Sequence, residues 1–260
     1  MAMQHARRAR APRAHEAATL ASPTLHVILG GRRQLLSSGQ RRLPTSQSNA
    51  PAGYRAGRAG VGYPAAESSS AAFALPKSVS IGTGDFTLIA HFETHTARST
   101  NYNYIFGSNA SYFSLSAGHT SASGNAALVI GGLVTKDLGV SCAAVGEYRM
   151  VVRRIGTEVK CWLNTLAPTT TTSSNSGGTL STLVLNSFQA GSGYGAGNTT
   201  TYLAGVDSRA WSDSEISAFL RDPSSIFAPV QRDAYYPQST AAGTITLNEI
   251  TSYRVFEGAA

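Results

Sequence analysis

Between Asp85 and Glu93 the chain alternates residue by residue, with Phe86, Leu88, Ala90 and Phe92 on one side and Thr87, Ile89, His91 and Glu93 on the other. A period of two places successive side chains on opposite faces of an extended strand, so this run predicts one buried and one more exposed face. Shorter runs repeat the pattern: Tyr104–Gly107, Tyr112–Ser116, Ala127–Ile130, Leu138–Ala143, Tyr148–Arg154, Glu158–Asn164, Leu180–Leu185 and Tyr202–Asp207. Turn residues separate them at short intervals, the spacing of an antiparallel sandwich. Gly156 supplies the positive φ of a tight hairpin between two of these runs. Phe86, Leu88, Phe92, Val151, Leu163, Leu183 and Leu203 are the expected core.

Composition supports the same class. Only 13% of residues are charged, and the lysines are Lys77, Lys136 and Lys160 alone, too few to clothe the exposed faces of many helices. One helix is signalled nonetheless, over Asp213–Asp222. Ser212 and Glu215 have the spacing of a capping box, Ile216, Phe219 and Leu220 form one apolar stripe, and Pro223 ends it. The run Thr169–Gly178 has no apolar anchor and reads as a mobile loop.

Charge divides the chain. Residues 1–60 hold ten arginines and one acid, a net of +9, whereas the remaining residues sum to −2. Prolines interrupt residues 1–53, which therefore read as a basic, extended N-terminal arm for an acidic partner, with Arg7, Arg8, Arg10, Arg13, Arg32, Arg33, Arg41 and Arg42 as assembly contacts. Leu25–Leu29 is the segment that could add a strand to a neighbour. Residues 54–229 are the expected sandwich, and residues 230–260 a C-terminal extension with two candidate strands. Ala17–Leu29 has a faint signal-peptide texture that Pro23 and His26 interrupt, and no stretch approaches a membrane span, so a soluble protein is expected. Cys142 and Cys161, in no C-x-x-C pair, read as buried free thiols.

Three motifs in order resemble a known family. Gly84-Asp85-Phe86-Thr87-Leu88 is similar to the early strand of laminin-G-like, concanavalin-A-type jelly rolls. Val159-Lys160-Cys161-Trp162-Leu163-Asn164 is similar to the hairpin arm of that family that ends in an Asn-Gly pair, with Thr165 here in place of the glycine. Tyr202-Leu203-Ala204-Gly205 through Trp211-Ser212-Asp213-Ser214-Glu215-Ile216 resembles the last core strand and the short closing helix. The ending Arg221–Pro229 resembles the tail of such domains in structural proteins of tailed bacteriophages. The resemblance implies an all-β, two-sheet antiparallel jelly-roll sandwich in a virion. There it would be a capsid decoration, head fibre or tail-associated subunit, with other virion proteins and copies of itself as partners. A carbohydrate-binding adhesin for host-surface glycans is the alternative that the same fold implies, and a glycan hydrolase is a third, less favoured one.

The search for chemistry yields little. No glutamate is followed by aspartate in the E-x-D-x-x-E pattern that puts two carboxylates on one strand face for glycoside cleavage. No phosphate-binding loop is present, and Gly191–Ala196 has dinucleotide-like glycines but opens no helix. The expectation is a protein that is not an enzyme and needs no cofactor. His91, Glu93 and His95 alternate along one strand, so they project from one face as a weak candidate metal set lacking a fourth ligand. Tyr102, Tyr104 and Tyr112, interleaved with asparagines, are candidates for stacking on sugar rings, with core packing as the competing reading.

Overall fold

In a computed structural model, residues 20–30, 34–37, 40–42, 45–48, 53–55, 58–62, 70–94, 103–108, 113–131, 134–185 and 199–227 are described. The strands are β1 (Leu25–Leu29), β2 (Gln34–Ser37), β3 (Gln40–Arg42), β4 (Ser46–Ser48), β5 (Gly53–Arg55), β6 (Arg58–Gly62), β7 (Ser70–Ser80), β8 (Phe86–Thr94) and β9 (Asn103–Ser108). They continue as β10 (Phe113–Gly118), β11 (Ala127–Ile130), β12 (Val134–Asp137), β13 (Gly146–Ile155), β14 (Glu158–Leu163), β15 (Thr169–Thr172), β16 (Thr179–Leu185) and β17 (Thr199–Asp207). Helix α1 (Asp213–Arg221) follows β17.

Two antiparallel sheets form a jelly-roll sandwich. The ten-stranded sheet runs β15-β14-β13-β8-β17-β1-β2-β3, with β6 also on β17 and β5 on β6; the seven-stranded sheet runs β12-β11-β10-β9-β16-β7-β4. Between them lies the main core, where Phe86, Leu88 and Phe92 of β8 meet Phe73, Phe106, Phe113 and Leu183 of the facing sheet. A second apolar layer lies on the outer face of the ten-stranded sheet. There Val27, Ile89, Val151, Trp162 and Leu203 are covered by Trp211 and the α1 stripe Ile216, Phe219 and Leu220. The expected core residues are buried, with Leu163 only half so, but Val151 and Leu203 belong to this outer layer.

The helix begins as the sequence indicates. The Ser212 hydroxyl accepts from the Glu215 amide while the Glu215 carboxylate accepts from the Ser212 amide, a complete capping box. Gly156, at φ +59°, turns the β13–β14 hairpin, where Ile155 pairs with Glu158.

Three expectations need correction. The first concerns the arm. Leu25–Leu29 lies inside its own sheet between β17 and β2, with Leu25, Val27 and Ile28 essentially inaccessible, so these residues belong to the sandwich although they precede residue 54. Alternate apolar residues on both faces of β1 gave it two layers to bury against, which outweighs the prolines and arginines around it. Arg41 and Arg42 accordingly sit on strand β3. Arg7, Arg8, Arg10, Arg13, Arg32 and Arg33 lie outside the described residues, as does the extension 230–260.

The second correction concerns Thr169–Gly178, expected to be mobile. Thr169–Thr172 instead pairs with β14, and the following turn is tied to the interior by Arg154. This fully buried guanidinium donates to the carbonyls of Gly82 and Gly84 (both from Nη2, the first at 2.9 Å) and of Asn175 (2.6 Å), and stacks 4.6 Å from the Phe86 ring. Burial lowers its pKa, the cost of holding a cation among carbonyl dipoles without a buried carboxylate. The third concerns Leu138–Ala143, which is not a strand. The Asp137 carboxylate caps the Gly139 amide at 2.7 Å and Gly139 adopts φ +67°, turning the chain where a strand was expected.

Candidate functional site

Strands β8, β13 and β17 lie side by side, and their outward residues past the end of α1 form a polar patch. On β8 the outward positions after Ile89 are His91 and Glu93; on β13 they are Arg149 and Glu147. The register places His91 opposite Arg149, and Glu93 opposite Glu147. On β17 a bulge between Thr201 and Leu203 inserts Tyr202, whose ring then sits 4.9 Å from that of His91 at 47°. A bulge next to a site re-aims a side chain that strict alternation would have sent to the other face.

Two like charges directly opposite each other on a sheet repel, so each glutamate needs a donor. The Tyr202 hydroxyl donates to Glu93 Oε2 at 2.5 Å. His91 Nε2 lies 2.7 Å from Glu147 Oε1, and Arg149 Nη2 lies 3.6 Å from the same oxygen. Arg149 also caps α1, its Nη1 donating to the carbonyls of Leu220 (2.8 Å) and Arg221 (2.6 Å), which would otherwise lack intrahelical partners. Asn164, in the left-handed region at φ +55°, accepts from the Arg149 amide and donates to the Glu147 carbonyl, holding the start of β13 in place. The His91, Glu147 and Arg149 side chains are 18%, 28% and 32% exposed, within reach of a ligand yet held by neighbours.

A second polar cluster lies at the other end of α1. Asp207 is fully buried and accepts from the hydroxyls of Ser22 (3.0 Å) and Thr24 (2.5 Å) and the indole of Trp211 (2.8 Å). Arg209 reaches it through Nε at 3.3 Å and forms a two-pronged pair with Glu215, at 3.1 and 2.6 Å. The hydrogen bonds from Arg209 pull the Glu215 carboxyl down to about 2, outweighing the upward effect of burial, and those from Ser212 add to the fall. Between this cluster, α1 and the N-terminal segment is a cavity of about 110 Å³.

Of the residues singled out in sequence, His91 and Glu93 do share a face, but each is engaged by a different partner, and His95 lies outside the described residues. Among the described residues no group of three or more His, Cys, Asp or Glu side chains is placed to hold a metal ion. Tyr104 is buried, its ring edge-on to His119 and its hydroxyl 3.4 Å from His119 Nε2, so it presents no exposed plane for a sugar. Tyr102 and Tyr112 are outside the described residues. Cys142 and Cys161 are buried free thiols, and burial pushes Cys161 up to about 12. Sequence reasoning missed Tyr202, Glu147 and Arg149 as site residues. The first needs the bulge, and the others need the pairing of β13 with β8.

This architecture defines a two-sheet β-sandwich with a half-buried polar patch on one face. No family model and no curated protein matches the chain. Among solved structures it is similar to Trypanosoma rangeli sialidase (12% identity, TM-score 0.49, 78% of this chain and 33% of that one). A mutant of that sialidase displaying trans-sialidase activity is also similar (12%, 0.49, 80% and 34%). So is the ligand binding domain of botulinum neurotoxin serotype D in complex with N-acetylneuraminic acid (11%, 0.44, 60% and 40%). The chain spans about a third of the sialidases and two fifths of the toxin domain's chain. Likeness of this degree assigns neither activity nor ligand.

The expectation of a chain that is not an enzyme is nonetheless corrected. Sialidases stand among the structures to which this chain is similar in fold, so the comparisons lend that expectation no support. The missing E-x-D-x-x-E motif excludes only carboxylates paired along one strand. Glu93 and Glu147 are paired across two, an arrangement no single-strand motif reveals.

Proposed function

We propose that this protein recognises carbohydrate on the polar patch of its ten-stranded sheet. The observation that carries the reading is the Tyr202–His91 ring pair flanked by Glu93 and Glu147, each carboxylate held by its own donor. Sugar hydroxyls donate to carboxylates, and the apolar face of a sugar ring packs on aromatic planes; a few convergent polar groups beside such planes suit that ligand. Glu93 and Glu147, oriented by Tyr202, His91 and Arg149, serve as acceptors. The family resemblance to laminin-G-like sandwiches supports the same class. Glycan-array binding by the full chain tests it. Tyr202→Phe and Glu93→Gln should each lose about tenfold or more in affinity, with an unchanged unfolding midpoint. Undiminished binding in both variants overturns the assignment to this face. Glycan cleavage abolished by both Glu93→Gln and Glu147→Gln would turn recognition into catalysis.

A second reading is a virion subunit, with capsid or tail proteins and copies of itself as partners. The observation favouring it is charge segregation: Arg7, Arg8, Arg10 and Arg13 precede the sandwich with only Glu16 to offset them. A chain lacking residues 1–19 should then fold but fail to join virions, and normal incorporation would end the docking role.

A further inference from the structure

We infer that the cavity beside Trp211 is a second, smaller sugar subsite that takes the acetamido group of an N-acetylated sugar. The inference rests on the carbohydrate reading but concerns a different part of the surface. The cavity, about 110 Å³, lies between the N-terminal segment, the turn after β17, α1 and the single 3-10 turn that follows it. Trp211, Leu25, Ile226 and Ala218 provide apolar walls, while Ser22, Arg209, Glu215 and Ser225 provide the polar ones.

The polar groups select the ligand by what they have left to offer. Asp207 already accepts from Ser22, Thr24 and Trp211 and pairs with Arg209, whose Nε lies 3.3 Å away and donates to Ser22. Glu215 accepts from both Arg209 prongs and from the amide and hydroxyl of Ser212. Neither carboxylate has room to ligate a cation. Arg209 is balanced by two carboxylates, so the local charge disfavours an anion. What remains is donor capacity: Nη1 and Nη2 of Arg209 each spend one N–H on Glu215 and keep another, and the exposed Ser225 hydroxyl adds a donor.

A cavity with apolar walls and spare donors, but saturated carboxylates, suits a neutral group with a small apolar end and a carbonyl oxygen. An acetamido group has that shape. Its methyl would rest against Leu25 and Ile226, and its carbonyl would accept from Arg209. A plain hydroxyl on the same ring carbon would leave the apolar walls unfilled.

Saturation-transfer NMR on the full chain tests this, with N-acetylglucosamine as the probe and glucose as its control. Transfer to the acetyl methyl is expected, with glucose binding about tenfold more weakly. Ala218→Phe, on the exposed helix surface, should block the mouth and abolish transfer, and Ser225→Ala should weaken it several-fold. Equal binding of the two sugars, or transfer unchanged in both variants, overturns the proposal. The two sites separate cleanly. If Tyr202→Phe abolishes all sugar binding while Ala218→Phe changes nothing, the sheet-face reading stands and the cavity proposal falls. If transfer depends on Ala218 and Ser225 but not on Tyr202 or Glu93, the cavity stands and the sheet-face reading falls.

Discussion

The outer face of the ten-stranded sheet changes character along the length of β8 and β13. At one end Ile89, Val151 and Trp162 lie under α1, sealed by Trp211, Ile216 and Phe219. At the other, past the last turn of the helix, the equivalent outward positions carry His91, Glu93, Arg149 and Glu147. The strands are the same and so is the alternation; only the cover differs. Where a helix excludes water, apolar side chains contribute their transfer free energy, and where it stops, the same pleat can carry paired charges that would be costly underneath it. Arg149 marks the border. Its guanidinium caps the helix carbonyls on one side and approaches Glu147 on the other, so the helix end and the polar patch are fastened by one side chain.

If the covered half is a true core layer, truncating it should cost more than any change in the polar half. Phe219 is fully buried against the Trp211 ring, 6.1 Å between centroids. Phe219→Ala should lower stability by about 3–5 kcal/mol, read by urea unfolding. A loss below about 1 kcal/mol would mean that the helix rests on the sheet without sealing it.

Next in size is Gly205, where β17 passes β1. A Cβ there would lie 2.7 Å from the His26 carbonyl oxygen and 3.0 Å from Val27, both fixed in the adjacent strand. Gly205→Ala should cost about 1–3 kcal/mol and weaken the hold on β1. Loss of amide-exchange protection confined to Leu25–Leu29 would show that this strand is the sheet's least secure member; uniform loss would show that it is an equal part of the cooperative unit.

Tyr202→Phe removes only a hydroxyl from the uncovered half, so its stability effect should stay within about 1 kcal/mol. A larger loss would make Tyr202 a structural strut rather than a recognition residue, and would erase the contrast between the two halves.

How much of this was legible in the sequence follows the range of the interactions. The strand around Phe86–Phe92, the Gly156 hairpin and the Ser212–Glu215 cap depend on residues near in sequence, and their patterns announced them. The Leu25–Leu29 strand was visible, but its partner was not, since nothing local says that it pairs with Leu203–Asp207. Thr169–Gly178 looked unanchored because its anchor, Arg154, is fifteen or more residues away and reaches carbonyls rather than apolar side chains. The patch was half legible for the same reason. His91 and Glu93 lie on one strand, whereas Glu147 and Tyr202 join them through register and a bulge.

The smallest expected effect compares the two ends of α1 by pH. Glu215, at the helix start, is held near 2 in the folded chain against an ordinary value of 4.5, chiefly by Arg209 and then by Ser212. A carboxyl whose folded pKa is depressed adds stability above its unfolded value, and that contribution is lost as pH falls through the folded one. The loss should therefore run from about pH 4.5 down to about 2. With the Glu215 side chain 39% exposed, solvent screening leaves it a modest term, well under the full shift. Glu215→Gln should destabilise the protein slightly at neutral pH and flatten the acid limb of its unfolding midpoint. At the other end, Arg149 bonds to the carbonyls of Leu220 and Arg221, which do not titrate, and after Ser224 it is only a minor contributor to holding Asp222 below its ordinary value, so Arg149→Met should lower the midpoint and change the acid limb less than Glu215→Gln does. An unaltered acid limb in Glu215→Gln would show that the Arg209 pair contributes nothing to holding the helix start on the sheet.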